Sequence, residues 1–285
     1  MNMTSRRSFL QASALAAALG TTGRAAKLTR IGVQLYTVRS VLPQNPVETL
    51  NAIHDIGYQE FEATLAGFDK IWPAVQASGM KPVSMHLDSG MITRGADDLS
   101  RTLDQLKQYG FTYAVFPYLA PADRGGPDVI KALAEKLNRA GEKCRAVGLS
   151  CAYHNHAFEF EPVGGATLFQ VLADNTDKKL VGFEVDAFWV SVAGHDPAEF
   201  IRKMSGRVPL VHLKDKAEGT AVMYKETVPR TAFQEVGHGV IEWPKVLRAA
   251  AAAGVQHYFV EQDQTPGDPV ESLRQSFGYL SKLTY

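Results

Sequence analysis

After about residue 30, the chain alternates between short apolar runs and longer stretches with helical periodicity. The short runs are rich in Val, Ile, Phe and Tyr, which is typical of strands buried on both faces, as in a parallel sheet. Eight strands are predicted, at Ile31–Tyr36, Gln59–Glu62, Pro82–Leu87, Tyr113–Pro117, Leu149–His156, Val181–Asp186, Val208–Leu213 and Tyr258–Glu261. A helix is predicted after each strand, at Val47–Ile56, Asp69–Ser78, Asp97–Tyr109, Asp128–Val147, Thr167–Ala173, Pro197–Met204, Trp243–Ala253 and Pro269–Lys282.

This strict alternation decides the predicted fold class. Eight strand–helix pairs in ~255 residues predict one α/β domain, a closed (β/α)8 TIM barrel. The alternative is an open doubly wound sheet, which usually carries a glycine-rich phosphate loop after its first strand. The first strand here continues into Leu35–Arg39 without such a loop. The longest irregular stretch, about 214–242, follows the seventh strand, where a barrel enzyme places a substrate-covering loop.

The first residues have the pattern of an export signal. Arg6 and Arg7 precede Phe9 and Leu10, and an Ala/Leu stretch follows. A basic start, a short apolar run and small residues are typical of a secretory leader, and the paired arginines resemble the bacterial twin-arginine signal. We therefore expect a signal peptide at residues 1–26, a barrel at 27–285 and a periplasmic or otherwise exported protein without stable membrane insertion. An amphipathic N-terminal helix is the alternative.

Composition narrows the partners. Thirty Lys and Arg residues balance thirty Asp and Glu residues, so the formal net charge is zero. Such a balance argues against a nucleic-acid partner and favours a small polar substrate. Cys144 and Cys151 are predicted to be buried free thiols, although they could pair in an oxidising compartment. Homo-oligomerisation is left open.

Polar side chains follow the predicted strands, and in a barrel the carboxyl ends of the strands carry function. Alternate residues of a strand share a face, so Glu184 with Asp186 and His212 with Lys214 point the same way. Several carboxylates cannot share a dry site without a cation. Mixed carboxylate and imidazole ligands suit one divalent ion, Mn, Co, Zn, Mg or Fe(II).

Five segments together resemble a known family. They are Gly32–Tyr36, Tyr153–Phe160, Gly182–Asp186, His212–Asp215 and Val236–Ile241. They resemble the xylose-isomerase-like barrel superfamily, and within it the proteins called sugar phosphate isomerase/epimerase. The resemblance covers the chain from about residue 30.

The resemblance implies one metal held by a Glu, an Asp, a His and a second Glu from the ends of strands five to eight. Asp186, His212 and Glu261 match this pattern. The first Glu has no direct counterpart, because His154 stands at that place in the fifth strand. Glu159 is therefore taken as the fourth ligand, and a direct imidazole ligand from His154 or His156 is the alternative.

The implied activity is isomerisation or epimerisation of a sugar, keto-sugar or related polyol through an enediolate. Glu261 would exchange protons together with Glu159 or His156, and Lys214 would hold an oxyanion unless it only forms a salt bridge. Substrate contacts are expected from Tyr36, Glu62, His86, His154, Trp189 and His238.

Two other functions remain open at this point. One is a lyase, dehydratase or 3-keto-glycoside-cleaving enzyme on the same metal site, and the other is a non-catalytic sugar-binding barrel. The export signal and the absence of a basic cluster at the predicted strand ends favour an unphosphorylated substrate.

Overall fold

The computed structural model describes residues 26–95 and 98–285. Within these ranges, eight parallel strands close into a barrel in which each strand pairs with the next along the chain and the last pairs with the first. The strands are β1 Gly32–Gln34, β2 Glu60–Thr64, β3 Lys81–His86, β4 Tyr113–Phe116, β5 Ser150–His154, β6 Val181–Asp186, β7 Leu210–Leu213 and β8 His257–Val260. The predicted (β/α)8 barrel is confirmed, and the open sheet is excluded by the β1–β8 pairing.

A helix follows each strand on the outside of the barrel. These helices are α1 Pro46–Ile56, α2 Phe68–Ser78, α3 Asp98–Tyr109, α4 Pro127–Ala146, α5 Leu168–Asn175, α6 Pro197–Lys203, α7 Trp243–Ala253 and α8 Pro269–Leu280. Prolines occupy the first turns of several helices, where the missing N–H costs no hydrogen bond. In the described part of the chain, every helix is too short or too polar to cross a membrane.

Some predicted segments lie outside the described residues. They are Asp97, the predicted first residue of the third helix, and all of the predicted signal peptide except Ala26.

The core has two layers. Inside the barrel, a small cluster below the strand ends contains Val83, Val115, Leu210 and Phe259. Gly32 makes room for it, because a Cβ at this position would lie 2.5 Å from the Phe259 ring. A much larger cluster fills the space between strands and helices. The closed interior forces the functional groups towards the carboxyl ends of the strands.

Two cysteines belong to the outer layer of the core. Cys144 on α4 and Cys151 on β5 are buried free thiols, as predicted. The neighbouring Cys144 side chain, together with burial in the outer layer, holds the pKa of Cys151 above its usual range. Both thiols therefore serve as small apolar packing groups.

Two strands end earlier than the sequence predicts, and this changes the rim of the barrel. β1 stops at Gln34 because its side-chain carbonyl accepts a hydrogen bond from the Tyr36 N–H at 3.0 Å, which starts a 3-10 turn at Leu35–Val38. β5 stops at His154. Tyr36 and His156 therefore lie on the rim instead of in the barrel wall.

The long segment after β7 is an ordered loop. Asp215–Lys216 pairs antiparallel with Phe233–Gln234. The Asp215 carboxylate accepts hydrogen bonds from the main-chain N–H groups of Gly237 and Ile241 and from the indole of Trp243, at 2.9, 3.1 and 2.7 Å. Gly239 packs directly against Asp215. The Val236–Ile241 motif therefore has a structural role, because it closes the loop onto Asp215.

Candidate active site and metal centre

A cavity of about 720 Å³ opens at the carboxyl ends of the strands. We call it the mouth cavity. Its wall includes seven of the residues to which the sequence analysis gave a role, namely Tyr36, His86, His154, His156, Trp189, Lys214 and Glu261. Active sites of this fold lie at this face, so the mouth cavity is the candidate active site.

Three predicted metal ligands come together beside it, Glu261 in the cavity wall and Asp186 and His212 fully buried behind it. Asp186 ends β6, His212 lies opposite it on β7, and Glu261 follows β8. His212 Nδ1 lies 2.9 Å from Glu261 Oε2 and 3.9 Å from Asp186 Oδ2. All three side chains are buried, and their ligand atoms lie within 4.8 Å of one another. The structure thus brings the three residues together as expected from adjacent strand ends.

His154 lies beside this group. Its Nε2 is 3.9 Å from Asp186 Oδ2, and its Nδ1 is 3.0 Å from Glu184 Oε2. The imidazole of His212 has the same relation to the two carboxylates, with Nδ1 towards Asp186 and Nε2 3.4 Å from Glu184. Two imidazoles therefore each present one nitrogen to Asp186 and the other to Glu184.

Glu184 also joins an inner group below the first. Its ligand atom, together with those of His86, His154 and His212, lies within 4.8 Å of the others. A carboxylate behind a metal-binding histidine accepts its second N–H and thereby fixes the tautomer. Glu184 is placed to do this for His154, and Glu62, at 2.7 Å from Nε2, is placed to do it for His212.

Glu62 lies beneath the cavity floor. Its carboxylate accepts hydrogen bonds from Gln34 Nε2 at 2.6 Å and from Ser84 Oγ, and lies 2.7 Å from His212 Nε2. Glu62 is fully buried and does not line the mouth cavity. Glu62 therefore supports His212, because β1 and β3 supply donors that hold its carboxylate inside the barrel. The predicted contact between Glu62 and a substrate is not found.

Lys214 is held by three carboxylates. Its ammonium lies 2.7 Å from Asp263 Oδ2, 2.8 Å from Glu261 Oε2 and 3.1 Å from Asp186 Oδ2. Burial opposes the charge, but these acids keep the pKa of Lys214 well above its ordinary value. Asp263 received no role from the sequence, although it shares a side with Glu261 two residues before it.

Glu261 and His156 differ in charge, the first being an ionised acid and the second a neutral base. Burial opposes ionisation of Glu261, but Lys214 and His212 hold its pKa below its usual range. Burial, and then the Lys214 charge, lowers the pKa of His156 well below its usual range. Within the described residues, His156 Nδ1 and the neighbouring Trp189 indole N–H are buried without hydrogen-bond partners. The cavity wall thus offers an ionised carboxylate and a neutral imidazole.

Glu159 lies apart from the metal group. It sits in a single 3-10 turn, Phe158–Phe160, where its carboxylate accepts hydrogen bonds from Tyr153 Oη at 2.7 Å and the His156 main-chain N–H at 2.9 Å. It is absent from the cavity wall, and burial raises its pKa to about 8. The structure therefore does not bring Glu159 together with Asp186, His212 and Glu261.

His238 is also remote from the cavity. It is exposed in the loop that closes onto Asp215 and does not belong to the cavity wall.

The donor set fits a divalent cation. In the described part of the chain, Glu184 Oε1 is a buried oxygen without a hydrogen-bond partner, and Asp186 Oδ2 is met by the Lys214 ammonium at 3.1 Å but accepts no hydrogen bond. Buried acceptors of this kind are costly unless a cation or donor meets them. The carboxylates of Asp186 and Glu261, with the imidazoles of His212 and His154, are ligands of the kind that Zn, Mn, Co and Fe(II) accept. The geometry thus supports a metal next to Asp186, His212 and Glu261.

Comparison with known proteins agrees with this architecture. Inosose dehydratase from Geobacillus thermodenitrificans is 29% identical over 160 residues, which are 52% of this chain and 52% of that protein. The chain thus matches about half the length of these curated relatives. A sugar phosphate isomerase/epimerase from Parabacteroides distasonis has the same fold, with a TM-score of 0.76, 22% identity and coverage of 92% of this chain and 98% of that chain.

A further solved structure holds a metal. The IOLI protein, crystallised with a zinc atom, has a TM-score of 0.67 and 14% identity, covering 87% of this chain and 95% of that chain. The family model described as xylose isomerase-like TIM barrel matches residues 50–283. This chain belongs to the xylose isomerase-like TIM barrel family.

Proposed function

We propose that this protein is a divalent-metal-dependent isomerase or epimerase that moves a proton next to the carbonyl group of an unphosphorylated sugar, keto-sugar or related polyol. The observation that carries the proposal is the buried group of Asp186, His212 and Glu261, of which Glu261 lines an open cavity. A non-catalytic barrel would have no need to keep ionisable groups buried at this cost.

Asp186, His212 and Glu261 would hold the metal, and His154 would be the fourth ligand in place of Glu159. His154 is favoured because its Nε2 faces Asp186 whereas both Glu159 oxygens are engaged elsewhere. A bound divalent ion polarises a carbonyl group and so acidifies the neighbouring C–H.

Glu261 and His156 would move the proton. They reach the cavity from β8 and from the turn after β5, which are separated by two strands of the barrel, so a substrate between them presents a different face to each. In one direction the ionised Glu261 takes the proton and His156 donates one from its imidazole N–H. In the reverse direction His156 takes the proton and Glu261 returns one. The Lys214 ammonium would exchange one of its carboxylate contacts for the negative oxygen of the enediolate.

The charges of the cavity wall favour a substrate without phosphate. Three cations, Arg39, Lys214 and Arg230, face four acids, Asp88, Glu226, Glu261 and Asp263. Lys214 is already compensated by its carboxylate neighbours. A dianionic phosphate would therefore find little net attraction at this mouth.

A lyase or dehydratase is the second candidate. It is favoured by the inosose dehydratase relatives, 29% to 31% identical over about half of the chain. The first step is the same proton abstraction by Glu261. The electron pair then forms a carbon–carbon double bond, and the oxygen on the next carbon leaves with the proton that Glu261 has just taken up.

Proton exchange in heavy water tests both candidates. The protein with added Mn²⁺ or Co²⁺ is offered ketoses, 3-keto-glycosides and inososes, and products are followed by NMR. We expect deuterium incorporation next to the carbonyl group. In Glu261→Gln the rate of incorporation should fall by at least about a hundredfold, since a positioned base contributes that much. Glu242→Gln, an exposed carboxylate outside the cavity, is the matched control.

The product decides between the candidates. An isomer or epimer supports the first, and an unsaturated ketone with loss of water or of an aglycone supports the second. Metal-loaded, folded protein that exchanges no proton on any of these compounds would contradict both.

A further inference from the structure

A second cavity adjoins the mouth cavity. It has a volume of about 280 Å³ and lies between the segments that follow β1 and β2. We call it the side pocket. It shares four wall residues with the mouth cavity, namely Tyr36, Arg39, Thr64 and Ala66. The two cavities therefore adjoin at Tyr36.

The wall of the side pocket is mostly apolar. Its apolar members are Leu35, Leu42, Pro43, Pro46, Ala63, Phe68 and Ile71. Its charged members, Arg39 and Lys70, are both cations, and within the described ranges 26–95 and 98–285 its wall contains no acid. The mouth cavity, by contrast, has four acids in its wall. The two cavities therefore select different chemical groups.

A rigid aromatic partition separates the two cavities. The Arg39 guanidinium lies 4.1 Å from the centre of the Tyr36 ring. It also donates hydrogen bonds to the main-chain oxygens of Tyr36 at 2.9 Å and Asp263 at 2.5 Å. The Tyr36 side chain is 40% exposed despite this support. An exposed, fixed aromatic ring is a surface on which a planar group stacks at low entropic cost.

We propose that the side pocket binds the aromatic aglycone of a glycoside whose sugar ring occupies the mouth cavity. The inference rests on the proposed function, since it assumes that a sugar binds there. An aryl group without positive charge fits the apolar wall and its two cations, and Tyr36 contacts both parts of the ligand. The substrate class is then an aryl glycoside with a keto group on its sugar ring rather than a free monosaccharide.

Binding of two glycosides tests the side pocket. Phenyl and methyl β-D-glucopyranoside are titrated into the metal-loaded protein by calorimetry. We expect the phenyl glycoside to bind about ten- to a hundredfold more tightly, the gain for burying one aromatic ring. Ile71 lines only the side pocket, so Ile71→Trp fills it and removes this preference while leaving methyl glycoside binding unchanged. Val129→Trp on α4, exposed and outside both cavities, is the control.

Methyl NMR of Ile71 in the wild-type protein keeps the test independent of how the variant folds. We expect phenyl glycoside, but not methyl glycoside, to shift the Ile71 signal. Equal affinities for the two glycosides would contradict aryl binding in the side pocket, and so would tighter binding of the phenyl glycoside without a shift of the Ile71 methyl signal. Neither result would contradict the proposed function. If neither glycoside binds but phenol alone shifts Ile71, the side pocket is supported as an aryl site, and the premise that a glucoside ring occupies the mouth cavity fails.

Discussion

Single residues at the end of β5 show how side-chain direction decides a role. His154 and Glu159 are five positions apart, and both carry groups that bind metals. His154 is the last residue of the strand, so its ring enters the barrel between Glu184 and Asp186. Glu159 follows in a 3-10 turn that directs its carboxylate to Tyr153. The residue types were visible in the sequence, but the turn that separates their roles was not.

The buried carboxyl group of Glu159 gives a pH-dependent stability. Its pKa rises from 4.5 to about 8 in the folded protein because burial disfavours the charged form. The native state therefore holds this proton over a range in which the unfolded state has lost it. Ionisation of Glu159 therefore does not change the free energy of unfolding below about pH 4.5, and it lowers the free energy of unfolding progressively as the pH rises to about 8.

We expect Glu159→Gln to remove this loss of stability at high pH, because glutamine does not ionise. Relative to wild type, its free energy of unfolding rises between pH 5 and pH 9, by up to about 5 kcal/mol. Denaturant unfolding of the metal-free proteins across this range measures the difference. Glu161→Gln, an exposed neighbour, is the control and stays parallel to wild type. A constant offset for Glu159→Gln at every pH would show that its pKa is not raised.

At the scale of elements, the loop after β7 depends on one carboxylate. Asp215 accepts from three main-chain N–H groups and one indole, and three of these four donors come from the segment that leads into α7. The same loop contributes Glu226, Val228 and Phe233 to the wall of the mouth cavity. Arg124 pairs with Glu226 through both nitrogens, at 3.2 and 3.0 Å, and so joins the loop to the segment after β4. The loop is thus a fixed wall of the site.

We expect Asp215→Asn to loosen this loop. The amide cannot accept at both of its positions, so at least one buried donor is left unsatisfied, at a cost of about 1–3 kcal/mol. Hydrogen exchange should become faster at the Gly237 and Ile241 amides. Asp268→Asn is the matched control, because Asp268 caps α8 and asparagine caps equally well. Unchanged exchange at both amides would show that Asp215 does not hold the loop.

At the scale of the whole molecule, the candidate metal centre joins distant parts of the chain. Its groups come from β5, β6, β7 and the end of β8, which a bound ion would hold together. A ligand that binds only the folded state stabilises it, by about 2.7 kcal/mol at a hundred times its Kd. Metal binding should therefore act on the global unfolding of the barrel.

We expect Mn²⁺, Co²⁺ or Zn²⁺ to raise the Tm and EDTA to reverse the change, as measured by calorimetry. Asp186→Asn should lose most of this response, since it removes a charged ligand. Glu242→Gln provides the comparison at an exposed position. Equal responses of Asp186→Asn and wild type would place the metal elsewhere.

Much of the molecule followed from the sequence because local patterns determined it. The period of the apolar residues and the alternation of strands with helices were enough for a closed barrel. Parallel strand ends must then meet at one face, and the family resemblance singled out Asp186, His212 and Glu261 among the residues there. Export and oligomeric state stay predictions. Tertiary structure decided which fifth-strand group faces the metal centre, that Glu62 lies below the floor, and that a side pocket adjoins Tyr36. These features depend on turns and on contacts between residues far apart in sequence, and no local period encodes such contacts.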